Sequence, residues 1–258
     1  MNADRITALL TVPAAVILLR ETDSTNTQLK RLAEQGAPDG TVLMAERQTD
    51  GRGRSGNAFA SPEGGLYLSV LLRPDIAPDA LPALTPAAAL AVCDAVLRVC
   101  GLSLSVKWVN DLICGGKKVG GILTELSFSP AGALRYILVG VGLNATEQAF
   151  PPELLPIATS LESALGSSVD REALAAAVIS GLMTLPALMK HPDCHRRYCE
   201  KCITIGKEVR ILRGTSSCSA FALGLGEDYS LIVRRNSDGK TERISSGEVS
   251  VRGMAGYT

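Results

Sequence analysis

Aromatic side chains are scarce in this sequence: phenylalanine, tryptophan and tyrosine make up 4% of its 258 residues. The core must therefore be filled mainly by alanine, valine, leucine and isoleucine, and stacking platforms of the kind that single-stranded nucleic acid needs are hard to assemble. Net charge is absent too. Lysine plus arginine and aspartate plus glutamate are both 26, which disfavours a general polyanion binder and leaves room for a local basic site. Seven cysteines, an odd number without regular spacing, form no disulfide framework and fit a reducing compartment. No apolar run is clean enough to span a bilayer. Ile6–Leu19 is broken by Pro13 and followed by Arg20 and Glu21, and Ala80–Cys100 carries Pro82, Pro86, Asp94 and Arg98. Charge at such depth is costly in lipid, and no small-residue cleavage site follows the first run. The expectation is a cytoplasmic chain with no membrane partner.

What is present is enough apolar material, 46% of residues, for one large domain or a medium domain with a small companion. Strands and helices alternate through the first three quarters. Val16–Arg20 reads as a strand, with Asp23 or Ser24 capping a helix over Thr25–Gln35. Gly36 and Pro38 end that helix, and Thr41–Ala45 and Leu66–Leu72 are further strands around a Gly/Arg/Ser loop over residues 49–65. Pro86 and the spacing Leu90, Cys93, Leu97 predict a helix to Cys100. Ser105–Trp108, Val119–Leu126 and Tyr136–Leu143 continue as strands, and helices are expected over Pro151–Leu165 and Arg171–Lys190. From about Gly206 the segments become short and alternating: Val209–Arg213, Ser219–Leu225, Leu231–Arg235 and Thr241–Ile244, with Ser237-Asp238-Gly239 as a hairpin turn. The division predicted is a main domain over 1–204 and a small all-β domain over 205–258.

Five segments carry chemistry. Gly51-Arg52-Gly53-Arg54-Ser55-Gly56 combines tight turning with two permanently cationic, fork-shaped donors two residues apart, suited to bridging one phosphate or carboxylate. Its spacing matches neither a Walker loop nor a dinucleotide fingerprint, and a basic surface loop is the plain alternative. In Val106-Lys107-Trp108-Val109-Asn110-Asp111 a strand runs into an amide and a carboxylate, where Asp111 suits Mg²⁺ beside phosphates and a simple turn is the alternative. Lys117-Lys118-Val119-Gly120-Gly121 places a cation before a strand whose glycines admit close approach of a ligand. Val139-Gly140-Val141-Gly142-Leu143-Asn144 has the same texture, and Ser24-Thr25-Asn26 offers hydroxyls and an amide at a helix start.

Taken in order, Thr22-Asp23-Ser24-Thr25-Asn26, Gln48, the Gly51–Gly56 loop, Lys107–Asp111, Lys118–Glu125 and Gly140–Asn144 resemble the biotin protein ligase family. The resemblance covers residues 16–150 closely and the C-terminal module loosely, from Gly206-Lys207-Glu208-Val209. It implies an α+β fold: a mixed-sheet catalytic domain of the biotin/lipoate ligase type with a small SH3-like barrel. It implies a ligase that joins biotin to ATP as biotinyl-5′-adenylate, with Mg²⁺, and transfers biotin to a lysine of a biotin carboxyl carrier domain. By position, Ser24, Thr25, Asn26 and Gln48 would contact the biotin head. Arg52, Gly53, Arg54 and Lys118 would meet its carboxyl and the adenylate phosphate. Phe59, Asn110, Gly120, Gly121 and Asn144 would line the nucleotide side, with Asp111 toward the metal. The resemblance puts Arg52, Arg54, Lys118 and Asp111 in the catalytic role.

Two departures from the family pattern stand out. Trp-Pro-Asn-Asp reads Trp108-Val109-Asn110-Asp111, and Phe59 stands where a tryptophan often stacks on adenine. About a dozen residues precede the first strand, so the resemblance implies no helix-turn-helix and no operator DNA; monomer and homodimer both remain open. A lipoate ligase is the nearest rival reading, and a non-enzymatic nucleic-acid-binding module is the rival of another class. His191, Cys194, His195, Cys199 and Cys202 stand within 12 positions and are zinc-ligand types. Their placement around Pro192 and on an expected helix makes ordinary thiols the favoured reading over a structural zinc.

Overall fold

The computed structural model describes residues 1–147, 150–213, 215–245 and 250–253. A short helix α1 (Ala3–Leu9), capped by the Asn2 side chain, precedes strand β1 (Ala15–Thr22), so part of the first apolar run is helical. Helix α2 (Thr25–Glu34) and strands β2 (Thr41–Gln48) and β3 (Leu66–Leu72) follow. Helix α3 (Leu84–Cys100) ends on Gly101 in the left-handed conformation, φ 69°, whose N–H closes the last turn on Leu97. The segment Pro78–Cys100 has the length and apolarity to cross a membrane, yet 67% of its apolar window is buried inside the fold.

Next come β4 (Ser105–Lys107), β5 (Asp111–Cys114), β6 (Lys117–Phe128) and β7 (Leu134–Leu143). Strand β5 was not foreseen. The Asn110-Asp111 corner turns the chain back at once, and Gly115 and Gly116, both with positive φ, turn it again into β6. Strands β1 to β7 make one mixed sheet in the order β1-β2-β3-β7-β6-β5-β4, parallel only between β1 and β2.

Side-chain alternation divides the core between the two faces of this sheet. Val42, Met44, Leu68 and Val70 join α3 and the later helices in the larger cluster, and Leu43, Leu71 and Leu138 pack with Leu29 and Ala33 of α2 on the other face. Helix α2 thus covers only part of its face. The uncovered part, above the ends of β3, β6 and β7, is where the polar residues gather.

The segment expected as one helix over 151–165 is a 3₁₀ turn at Pro152–Leu154 and then α4 (Leu161–Leu165), with Pro156 between them. The helix expected over 171–190 is α5 (Arg171–Met183) and α6 (Leu185–Met189). Pro186 lies in the first turn of α6, where its missing N–H leaves no bond unmade, and Thr184 joins the two. Helix α7 (Cys194–Lys201) leads to β8 (Glu208–Arg213), β9 (Ser216–Leu225), β10 (Leu231–Arg235), β11 (Thr241–Ile244) and β12 (Ser250–Gly253), an antiparallel sheet ordered β11-β10-β9-β8-β12. The turn between β10 and β11 uses Gly239 at φ 68°, as its Ser-Asp-Gly sequence predicts.

Tyr229 joins the two sheets. Its carbonyl accepts the Trp108 indole N–H at 3.0 Å, and its ring lies 5.7 Å from that of Tyr198 in an edge-to-face pair. Tyr198, fully buried, donates in turn to the Val109 carbonyl at 2.9 Å. The strand end that carries Asn110 and Asp111 is therefore held from behind by the C-terminal part of the chain.

Candidate active site

A cavity of about 560 Å³ opens over the uncovered sheet face. Its lining includes Ser24, Thr25, Asn26, Gln48, Arg52, Gly53, Arg54, Phe59, Asn110, Asp111, Lys118 and Gly121, segments far apart in the chain and singled out from the sequence. Gly120 and Asn144 do not line it. Gly120 lies against the Gly142 carbonyl, and Asn144, 5% exposed, spends its amide on the Thr159 carbonyl at 3.0 Å. The β6–β7 register turns Gly120 to the other face of the sheet, and Asn144, just past the end of β7, is drawn toward the segment around Thr159.

The floor is a set of hydrogen-bonded neutral side chains. Helix α2 opens with Ser24 in the N-cap position, but the Ser24 hydroxyl makes no capping bond. The N–H of Thr25, in the first turn of the helix, is satisfied by Gln48 Oε1 at 2.8 Å, which also accepts from Thr25 Oγ1 at 3.1 Å. Gln48 Nε2 donates to Ser61 Oγ at 2.8 Å, fixing which way the glutamine amide faces. Ser69, at the centre of an otherwise apolar strand, places its hydroxyl 2.8 Å from Thr25 Oγ1 and 2.5 Å from Asn26 Oδ1. Gly140 sits directly beneath: a Cβ there would run into the Asn26 side chain.

The glycine–arginine segment is a small hairpin and not an open loop. Arg52 and Ala58 form an isolated antiparallel bridge, Gly53 N–H donates to the Asn57 carbonyl at 2.7 Å, and Phe59 N–H to Gly51 at 2.8 Å. Gly51 has no space for a Cβ, which would strike the Phe59 carbonyl and Ser61 Oγ. The turn at its tip takes Ser55 and Gly56 through positive φ. Because Arg54 begins that turn while Arg52 is in the bridge, the two guanidiniums reach different partners. Arg52 Nη1 lies 3.6 Å from Glu125 Oε1, and Arg54 Nη1 donates to Asn110 Oδ1 at 3.3 Å.

At the other end Lys118 Nζ contacts Asp111 Oδ1 at 2.5 Å and lies 5.7 Å from the centre of the Phe59 ring, within cation–π range. The Phe59 ring occupies the space left by Gly142, where a Cβ would come within 2.6 Å of it. Asn110 Nδ2 donates to the Ile122 carbonyl at 2.9 Å, so both ends of that amide are engaged. Burial draws the Arg54 guanidinium below its ordinary range, opposed by the Asp111 carboxylate; it stays cationic at neutral pH. Lys107, 7% exposed, also lines the cavity and was not assigned a role from sequence. The wall thus presents Arg52, Arg54, Lys107 and Lys118 against one lining carboxylate, Asp111, among the described residues. A chain with no net charge concentrates positive charge here, beside a neutral donor–acceptor floor. Such a site can hold a ligand with a polar neutral head and an anionic tail.

The histidine–cysteine cluster does not converge. Among the described residues no group of three or more metal-ligating side chains is placed to hold an ion. His195 Nε2 is 2.8 Å from the Gly226 carbonyl, His191 Nδ1 accepts from the Asp193 N–H, and burial pushes the Cys199 and Cys202 thiols above their usual range.

Comparison with known proteins gives a consistent picture. Residues 18–144 match the model of the biotin/lipoate A/B protein ligase family. The biotin–[acetyl-CoA-carboxylase] ligase of Mycobacterium tuberculosis is 34% identical over 241 residues, covering 90% of this chain and 87% of that protein. A bifunctional ligase/repressor of Bacillus subtilis is 42% identical over 151 residues, which are 57% of this chain and 46% of the relative, so the match spans under half of that protein. Among solved structures, a biotin protein ligase from Aquifex aeolicus in complex with biotin and ATP is 32% identical, with a TM-score of 0.78 and coverage of 93% of this chain and 99% of that one.

Proposed function

Because the chain belongs to the biotin protein ligase family, we propose that it activates biotin with ATP and transfers it to a lysine of the biotin carboxyl carrier domain of acetyl-CoA carboxylase. The observation that carries this reading is a single cavity with a neutral hydrogen-bonding floor and a wall of four cations. Biotin matches it, with an uncharged ureido head and a carboxylate at the end of an apolar chain. Ser24, Thr25, Asn26 and Gln48 receive the head, and Arg52, Gly53, Arg54 and Lys118 receive the acid.

In the first step a carboxylate oxygen attacks the α-phosphorus of ATP, the bond to the β-phosphate breaks, and pyrophosphate leaves. Two anions must approach, and the barrier is lowered by fixed cations and by alignment more than by any covalent step. Arg54 and Lys118 provide that charge. Phe59, Asn110 and Gly121 face the nucleotide, and Gly120 and Asn144 support that wall from behind. Asp111 would hold the Mg²⁺ that accompanies ATP, an ion that would offset phosphate charge; one protein carboxylate suits an ion that keeps most of its waters. In the second step the neutral amine of the carrier lysine attacks the acyl carbon, AMP leaves, and the nitrogen loses a proton. The glycine-hinged hairpin shields the mixed anhydride from water until then.

The same reading takes residues 1–204 as the catalytic domain and 205–258 as an SH3-like module, and places the protein in the cytoplasm. The test is incubation with biotin, Mg·ATP and a carrier domain. One biotinyl group gained on one lysine is the expected result. No gain with biotin, or a gain with lipoate only, overturns the assignment.

A further inference from the structure

Glu125 is an acidic group on the cavity face of the sheet that takes no part in the steps above. Its place follows from register: Gly121, Leu123 and Glu125 of β6 alternate onto the face shared with Gly140 and Gly142 of β7. There its two oxygens do different things. Oε2 accepts from Asn26 Nδ2 at 2.8 Å, and Oε1 lies 3.6 Å from Arg52 Nη1. The carboxylate therefore stands between a residue of the neutral floor and a residue of the cationic hairpin.

We infer that Glu125 is a positioning residue that sets Asn26 and Arg52 for recognition of the vitamin, an inference that rests on the biotin-activating reading. Asn26 is 3% exposed, with Gly140 leaving it just enough room. Its oxygen faces the Ser69 hydroxyl and its NH₂ faces Glu125 and the Leu123 carbonyl. Turning the amide over would set its oxygen against the carboxylate and that carbonyl, acceptor against acceptor, so Glu125 selects one orientation of a side chain that otherwise has two. The ion pair to Arg52 is long, and the Arg52 side chain is 49% exposed, so it adds little to stability. Its effect is on position: the outer strand of the hairpin is tethered over the acid end of the cavity. Both consequences fall on residues assigned to biotin, Asn26 and Arg52.

The test is steady-state kinetics and calorimetric biotin binding on the full chain, comparing wild type with Glu125→Ala and Glu125→Gln. Losing one charge-assisted hydrogen bond from the recognition site should raise the KM and Kd for biotin about tenfold in Glu125→Ala. Most of the loss then falls in those constants and not in kcat, and KM for ATP changes far less. Glu125→Gln still offers an acceptor to Asn26 and should recover most of the biotin affinity. Should the alanine variant be unstable, Glu125→Met keeps the length without the acceptor and is read the same way. Equal biotin constants in wild type and Glu125→Ala, or parallel rises for biotin and ATP, or a glutamine variant as impaired as alanine, overturn the inference alone. A wild-type protein that does not bind biotin overturns the functional reading, and this inference with it.

Discussion

Lys118 Nζ sits 2.5 Å from Asp111 Oδ1, across the corner where β5 pairs with β6, and the two side chains are 24% and 20% exposed. The pair puts a cation and a carboxylate at the same end of the cavity, so each limits the net charge the other presents. Removing the lysine takes away the cation in contact with Asp111, at the end where anionic reactants must meet. We predict that Lys118→Ala slows pyrophosphate release at least ~100-fold, within the range found when one preorganised donor to developing charge is lost. The melting temperature should change much less. A pyrophosphate-release rate near wild type would remove Lys118 from the reaction.

Arg54 reaches from the hairpin tip to Asn110 and so spans the mouth between loop and sheet. Arg54→Gly deletes that span without touching the core. The expected result is escape of the adenylate: free biotinyl-5′-AMP in solution, and biotin spread over lysines of bystander proteins. Quantifying adenylate in an ultrafiltrate with and without carrier checks this, and retention equal to wild type would show that Arg54 does not hold the intermediate.

Gly140 faces the Asn26 amide with no space for a methyl group, and both neighbours are constrained, one by β7 and the other by Ser69 and Glu125. Neither can yield cheaply. Gly140→Ala should therefore weaken biotin binding by about tenfold or more while the two sheets remain paired. Biotin titration calorimetry measures the first effect, and far-ultraviolet circular dichroism verifies the second.

How much of this was readable in advance depended on the distance over which each residue acts. Local signals held: the Ser-Asp-Gly turn, the alanine-rich core helix and the strand Leu66–Leu72 occur where their residues place them. Ser69 was visible as a lone polar residue in an apolar run, but only the β3–β7 register shows that it faces Asn26 across Gly140. The two arginines stand two apart in the sequence, and only the turn beginning at Arg54 shows that their guanidiniums take separate partners in the protein. Strand β5 was missed because four residues between two turns carry too little periodicity. Lys107 and Glu125 were hidden for another reason. A charged residue in an alternating strand usually points to solvent, and only the assembled sheet shows that Lys107 lines the cavity and that Glu125 reaches Asn26.

Trp108 gives the last test, of the link between the cavity and the C-terminal sheet. Its indole is 4% exposed, and its N–H is committed to the Tyr229 carbonyl, 121 positions along the chain. Trp108→Phe keeps a ring in the core but leaves that buried carbonyl without its indole donor. An unsatisfied buried acceptor costs about 1–3 kcal/mol, and the smaller ring adds a packing loss of the same sign. The urea midpoint should fall accordingly with an unchanged slope. The backbone of Val109 is also held from this side, by Tyr198. Loosening the contact should therefore reach Asn110 and Asp111 and raise the KM for ATP more than that for biotin. A variant with the full stability loss but an unaltered ATP constant would show that the C-terminal sheet steadies the fold without positioning the nucleotide end of the site.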